Sequence, residues 1–266
     1  MFAGRMPVFD SYPQGTPCFV ELVTPDLSST AAFYSALFAW EFDQRSESES
    51  ESYRVATIGG HVVAGLDGDM PPMAGHPAFW KVYLAVDDID AATSLVPVLG
   101  GVVESGPSRQ GDRETTAAVK DSTGVRVGLW QAGSLAGTEL ANEPGTPIWN
   151  ELVSPDLERA TAFYADLLGV SWDEVQTPRG SYLILNAGGR SVGAAVPLQE
   201  GPQPPHWNVY FNVTECDSAL AKAVELGGSV VVPAYDLEGV GRMAFVRDPQ
   251  GGTFAVLQNP PEGQGS

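Results

Sequence analysis

Cysteine is nearly absent. Cys18 and Cys216 are the only two in 266 residues, so neither a disulfide framework nor a cysteine-ligated zinc site has the residues it needs. Basic side chains are scarce as well: 14 Lys and Arg stand against 33 Asp and Glu, a formal charge of −19. Nucleic acid and anionic membranes require a basic footprint, so both are excluded as partners. No stretch approaches the roughly 18 consecutive apolar residues of a membrane span, and residues 1–7 lack the apolar core of a signal peptide. The expected setting is therefore soluble and cytoplasmic. Histidine is limited to His61, His76 and His206, and no phosphate loop, dinucleotide fingerprint or nucleophile elbow occurs. What the chain does have is 43% hydrophobic against 18% charged residues, with 30 Gly and 21 Pro. That is material for a packed core with many turns.

An internal repeat organises it. Gly15-Thr16-Pro17, Glu21-Leu22-Val23, Pro25-Asp26-Leu27 and Ala32-Phe33-Tyr34 recur 130 residues later, from Gly145 to Tyr164. Trp80, Tyr83, Gly100-Gly101, Asp121 and Gly124 recur 127 residues later as Trp207, Tyr210, Gly227-Gly228, Asp248 and Gly251. The implied organisation is an N-terminal extension (1–14), a first domain (15–131), a linker (132–145), a second domain (146–260) and a tail (261–266). Each half divides again. In the second, 148–153 reads as a strand, and a helix follows to about Leu168 with Asp156 as N-cap and Gly169 as C-cap. Short strands follow over 171–175, 181–186 and 191–196, and the order restarts with a strand over 206–213 and a helix over 215–226. The last two strands flank the turn Asp248-Pro249-Gln250-Gly251. The unit is βαβββ, used four times.

That unit, with its Asp-Leu helix start, its Ala-Phe-Tyr helix segments and its Asp-Pro-x-Gly turn, resembles the vicinal-oxygen-chelate superfamily of glyoxalases, extradiol dioxygenases and bleomycin-resistance proteins. The resemblance covers residues 15 to 260 and is nearest to two-domain actinobacterial members labelled glyoxalase-like or hydroxylase. It implies an α+β fold in which four βαβββ modules pair into two glyoxalase-like domains, each a cup-shaped mixed sheet covered outside by helices, with the ligand inside.

Metal-dependent members of that superfamily take ligands from the first and last strands of each module. Counting six residues back from the Asp that precedes each helix gives Val20, Lys81, Asn150 and, from Thr214, Asn208. Counting four past the turn glycine gives Gly128 and Ala255, and the remaining last strands offer Ala64 and Gly193. Val, Ala and Gly cannot ligate, an ammonium has no lone pair, and Asn is a poor transition-metal ligand. His61 in the Gly59-Gly60 hairpin and His76 in a Pro/Gly loop do not complete a set. The expectation is no metal and no cofactor.

Strand alternation then assigns faces. His206, Asn208, Tyr210 and Asn212 share one, read as the cup, with Ile148, Asn150 and Leu152 continuing it. Trp207, Val209, Phe211 and Val213 form the apolar face, although Trp207 is kept with Trp149 as a candidate stacking platform. In the first cup Phe79, Lys81 and Tyr83 are expected beside Cys18, Val20, Leu22, Arg126 and Trp130. Glu21 and Glu151 fall on the helix-facing parity and read as structural. Arg242 is placed either at a ligand oxygen or in an inter-domain ion pair, Tyr53 and Tyr182 read as packing residues, and the acidic run 46–52 reads as a solvated loop. Four polar side chains on one face point to the second cup as the binding site, since buried polar groups need partners.

The leading expectation is a metal-independent binding protein for an aromatic or polyketide-like small molecule, serving resistance by sequestration or an accessory biosynthetic role. Asn150, Trp207, Asn208, Asn212, Arg242, Lys81, Tyr83 and Trp130 are its candidate contacts. The alternative is a metal-free isomerase, lyase, cyclase or hydroxylase with His206 as general base and Tyr210 stabilising a developing oxyanion. A metal-dependent glyoxalase or dioxygenase comes third. Because both modules of each cup lie in one chain, a monomer and a homodimer are equally compatible.

Overall fold

The structure, a computed structural model, describes residues 8–43, 52–69, 77–177, 180–201 and 203–260. His76 and most of the acidic run lie outside these residues. Each half is one eight-stranded mixed sheet. The first half runs β1 (Pro17–Val23), α1 (Leu27–Phe38), β2 (Glu41–Asp43), β3 (Tyr53–Ile58), β4 (His61–Asp67), β5 (Phe79–Ala85), α2 (Ile89–Leu95), β6 (Val102–Gln110), β7 (Glu114–Lys120) and β8 (Arg126–Ala132). The second repeats it as β9 (Pro147–Ser154), α3 (Leu157–Leu168), β10 (Ser171–Thr177), β11 (Gly180–Ala187), β12 (Arg190–Pro197), β13 (His206–Asn212), α4 (Cys216–Glu225), β14 (Ser229–Leu237), β15 (Gly241–Arg247) and β16 (Thr253–Gln258). Strand order is 2-3-4-1-5-8-7-6 in the first sheet and 10-11-12-9-13-16-15-14 in the second. The two modules of each half meet at an antiparallel seam, β1 with β5 and β9 with β13, while β1/β4 and β5/β8 run parallel. The expected α+β fold of four paired modules is the observed one.

Local chemistry sets the element ends. Asp26, Asp88 and Asp156 cap α1, α2 and α3 by accepting the backbone N–H three residues on, at 2.9, 2.9 and 3.0 Å. Gly169 closes α3 in the left-handed conformation at φ 69°, where only glycine is free of a Cβ clash. The repeat-equivalent residue after α1 is Ala39, which holds φ 59° with a Cβ.

The helices lie behind the sheets, between the two halves, and a single core of buried residues runs through both. Phe38, Trp40 and Trp80 of the first half pack on Phe211 of the second at ring separations of 5.0, 5.6 and 5.1 Å. Two hydrogen bonds fasten this interface reciprocally. Tyr34 on α1 donates to Oδ2 of Asp248 in the second half's turn at 2.9 Å, and Tyr164 on α3 donates to Oδ2 of Asp121 in the first half's turn at 3.0 Å. The other oxygen of each carboxylate gathers its own turn: Asp248 accepts from the N–H groups of Gln250 and Gly252, Asp121 from those of Thr123 and Val125.

The segment after β8 is docked rather than loose. Thr138 N–H donates to the Cys18 carbonyl at 2.7 Å, Glu139 N–H to the Val62 carbonyl at 2.7 Å, and Val62 N–H to the Glu139 carboxylate at 2.8 Å. Trp40 Nε1 reaches the Gly145 carbonyl at 2.7 Å. Among the described residues no helix is long and apolar enough to cross a membrane.

Removing either tyrosine hydroxyl deletes a buried hydrogen bond to a carboxylate, worth about 1.5–3 kcal/mol. Tyr34→Phe and Tyr164→Phe should each lose about that much in urea unfolding. Values near zero for both would show that the interface rests on its apolar core alone.

Candidate functional site

The seams decide what faces into each cup, because residues directly opposed across an antiparallel pair share a face. Glu21 is opposed to Lys81 and Phe19 to Tyr83; Glu151 is opposed to Asn208 and Trp149 to Tyr210. Glu21 and Glu151 are therefore cup residues, correcting their expected helix-facing parity, and Val20, Leu22 and Leu152 belong to the helix-side core instead. The expected face was one residue out of register on the first strands, and a slip of one moves every side chain to the opposite face.

In the first cup the Lys81 ammonium lies 2.6 Å from Glu21 Oε1 and donates to the Tyr83 hydroxyl at 3.0 Å, while Tyr83 donates to the same Glu21 oxygen at 2.9 Å. Tyr53 also bonds to Glu21, and burial followed by the Glu21 charge pushes both tyrosines well above the usual phenol range, keeping them as donors. Two glycines make the space. A Cβ on Gly128 would collide with the Tyr83 ring, and one on Gly65 with the Tyr53 hydroxyl. Phe19, Tyr83 and Trp130 form an aromatic wall, with Phe19 and Trp130 centroids 4.8 Å apart, and Leu135 of the docked linker packs against it together with Tyr12. Above this floor opens a cavity of about 1180 Å³, walled on one side by the β6–β7 hairpin and on another by the linker. Lys81, Tyr83 and Trp130 all line it.

The second cup is built on the same plan and filled differently. Glu151 Oε2 accepts from Asn208 Nδ2 at 3.1 Å and from the Tyr210 hydroxyl at 3.0 Å. Tyr182 bonds to Glu151 as well and accepts from Trp149 Nε1 at 3.1 Å. Tyr53 and Tyr182, read as packing residues, are thus equivalent donors to the two glutamates. Burial pushes the Glu151 carboxyl up, against the lowering effect of its donors and of His206. Tyr210, Met243, Ala255 and Leu257 cluster with Trp149, Tyr235 and Phe245 inside this cup. The spacious cup is therefore the first, where the sequence pointed to the second.

The remaining candidates are dispersed. Asn150 lies opposite Val209 on the helix side, buried, with Oδ1 unpartnered among the described residues. Trp207 packs edge-on against Tyr164 in the core at 5.8 Å. Asn212 gives Nδ2 to the Asn142 carbonyl at 2.7 Å, tying the linker. Arg242 is held by Asp217 and Asp236 of its own half at 2.7 and 3.0 Å, outside the cup and away from the domain interface. Arg126 is exposed and pairs with Glu104 at 2.9 Å. His206 has Nδ1 2.8 Å from the Pro204 carbonyl and Nε2 2.9 Å from Asn208 Oδ1. Both ring nitrogens are within hydrogen-bond distance of protein oxygens, so each already has a neighbour within the chain.

The donor set does not fit a divalent metal. Each seam supplies one carboxylate already engaged by its neighbours, Lys81 places a cation on Glu21, and Tyr83 occupies the space a ligand at position 128 would need. Among the described residues, no group of three or more His, Cys, Asp and Glu side chains is placed to hold a metal ion.

Comparison with known proteins fits this geometry into a wider group. The family described as Glyoxalase/Bleomycin resistance protein/Dioxygenase superfamily matches residues 18–129, and the Glyoxalase-like domain family matches residues 151–257. CFP32 of Mycobacterium tuberculosis, which carries the provisional name of a glyoxylase, is 40% identical over 261 residues, 97% of this chain and 100% of its own. The anthracycline biosynthesis protein DauV of Streptomyces sp. strain C5 is 31% identical over 272 residues, 93% of this chain and 94% of its own. Among solved structures, the Mn(II)-bound glyoxalase from Novosphingobium aromaticivorans superposes with a TM-score of 0.64 at 17% identity, covering 93% of this chain and 83% of that one. The 2,3-dioxygenase LapB from Pseudomonas sp. KL28 does so with a TM-score of 0.64 at 11% identity, covering 94% and 96%. At such identities the likeness is one of fold.

Because the Glu151 carboxyl is raised by burial, the folded state favours its protonated form. That stability is present at low pH and lost as pH rises through the folded value. Glu151→Gln, which cannot ionise, should gain stability relative to the native protein as pH rises above the ordinary glutamate value of about 4.3 in paired urea titrations. A difference that stays flat as pH rises would contradict the assignment.

Proposed function

Since the chain belongs to the glyoxalase/bleomycin resistance protein/dioxygenase superfamily, we propose that it is a metal-independent binding protein for a flat, oxygenated aromatic molecule held in the first cup. The observation that carries this reading is the cavity of about 1180 Å³ over the Glu21–Lys81–Tyr83 floor, with Trp130 in its lining. Ligand pockets commonly span about 300–1000 Å³ and are mostly apolar with a few convergent polar groups. This one has room for a fused-ring system, with the rings of Tyr53, Tyr83 and Trp130 in its lining and Lys81 set among acidic side chains. Two relatives at 31% identity, DauV and DnrV of Streptomyces peucetius, are named for anthracycline biosynthesis, which favours an aromatic polyketide as ligand and an accessory or sequestering role. The alternative of a metal-free enzyme with His206 as base is less well supported, because both ring nitrogens of His206 already have protein oxygens within hydrogen-bond distance. A glyoxalase or dioxygenase reading needs a ligand set that the two seams do not supply.

Equilibrium dialysis against a tetracyclic anthracyclinone should show one ligand bound per chain, with affinity unchanged by EDTA or by added Mn²⁺ or Fe²⁺. Binding that is absent, or that appears only with metal, would overturn the proposal.

A further inference from the structure

The floor of the first cup has a feature that the second lacks. Across the first seam the residue facing the buried carboxylate is Lys81; across the second it is Asn208. The ammonium sits on Glu21 at 2.6 Å and on the Tyr83 hydroxyl at 3.0 Å, half enclosed and lining the cavity. An ammonium carries three N–H donors, and these two contacts account for two of them. Lys81 also lies 5.1 Å from the centroid of the Tyr83 ring, so the stem is pinned between ring and carboxylate. The result is a fixed positive group on the floor of the cavity.

We infer that Lys81 is the specificity-determining anchor of the first cup, donating its remaining N–H to an acceptor oxygen on the aromatic ligand, a quinone carbonyl or phenolic oxygen. This deepens the proposed function and rests on it. Charge-assisted hydrogen bonds discriminate against a ligand that lacks the acceptor, because the donor then loses a partner. Glu21 and Tyr83 are positioning residues in this arrangement: they fix where the ammonium stands without touching the ligand oxygen. Tyr83 keeps its place because Gly128 leaves room for its ring. The surrounding carboxylates, Asp67, Asp69, Asp112, Glu114 and Glu139, against only Lys81 and Arg113 among the cationic lining residues, direct the choice toward a neutral oxygen acceptor rather than a free anion.

The test compares two probes of one shape, 1,4-dihydroxyanthraquinone and anthracene, by equilibrium dialysis with the full chain. The native protein should bind the quinone at least tenfold more tightly. Lys81→Met should erase that preference by weakening the quinone about tenfold or more while anthracene changes less than threefold. Because Lys81→Met leaves Glu21 buried without its cation, the double variant Glu21→Gln/Lys81→Met serves as the second test; it restores a neutral floor and should show the same lost preference. A native protein that binds both probes equally, or a folded variant that keeps the quinone preference, would overturn the inference while leaving the binding function intact. Failure of the native protein to bind either probe would overturn the binding function, and the inference with it.

Discussion

The antiparallel seam between the two modules of each half is the constraint on which the rest of the molecule depends. It joins β1 to β5 and β9 to β13 at the centre of each sheet, and its register fixes which side chains look into the cup and which into the core. With Glu21 set against Lys81 and Glu151 against Asn208, each cup receives one buried carboxylate at its midpoint, and neighbouring side chains must satisfy it. The tyrosines do so in both halves, from β5 or β13 and from β3 or β11. The helix-side residues of the same strands are then free to be apolar, as Val20, Leu22, Val82 and Trp80 are in one half and Leu152, Val209 and Trp207 in the other, with Asn150 a polar exception.

From that shared plan the cups part through small changes. Gly128 in the first half corresponds to Ala255 in the second, and Lys81 to Asn208. The first cup also gains a wall, since the chain leaving β8 folds back across it and is held by hydrogen bonds to Cys18 and Val62 before entering β9. The second cup packs Trp149, Tyr210, Tyr235 and Phe245 into its own interior. One half thus holds a large cavity over a charged floor, and the other sets aromatic side chains about its carboxylate.

The fold was legible because it is periodic. Landmarks such as Asp26 and Asp156, or the Asp121 and Asp248 turns, recur at fixed offsets, and each has a local reason to be where it is as a cap or a turn former. The end of α3 at Gly169 and the strand boundaries around the Asp-Pro-x-Gly turn followed from the same local chemistry. The site was harder to read. Alternation tells which residues on one strand share a face, but not which face is which, and a count back from the helix cap ran one residue too far on β1 and β9. That placed Asn150 in the cup and Glu151 outside it. The open volume of the first cup was not readable either, because a backfolding linker walls it and leaves no periodic trace. Lys81, Tyr83 and Trp130 line the first cavity because their strands carry them to its face, whereas Asn212 is tied to the linker and Arg242 to two aspartates.

The crossed tyrosine–aspartate bonds have a consequence for how the duplication could diverge. Tyr34 with Asp248 and Tyr164 with Asp121 lie on the backs of the sheets, each helix locked to a turn of the other half. Nothing in that clasp reaches the bowls. An exchange such as lysine for asparagine at the floor of one cup therefore leaves the fastening untouched, whereas neither half can detach without stranding the carboxylate that organises its sister's hydroxyl. The molecule is a pair of vessels bolted back to back: inseparable at the bolts, and for that reason at liberty to hold different contents.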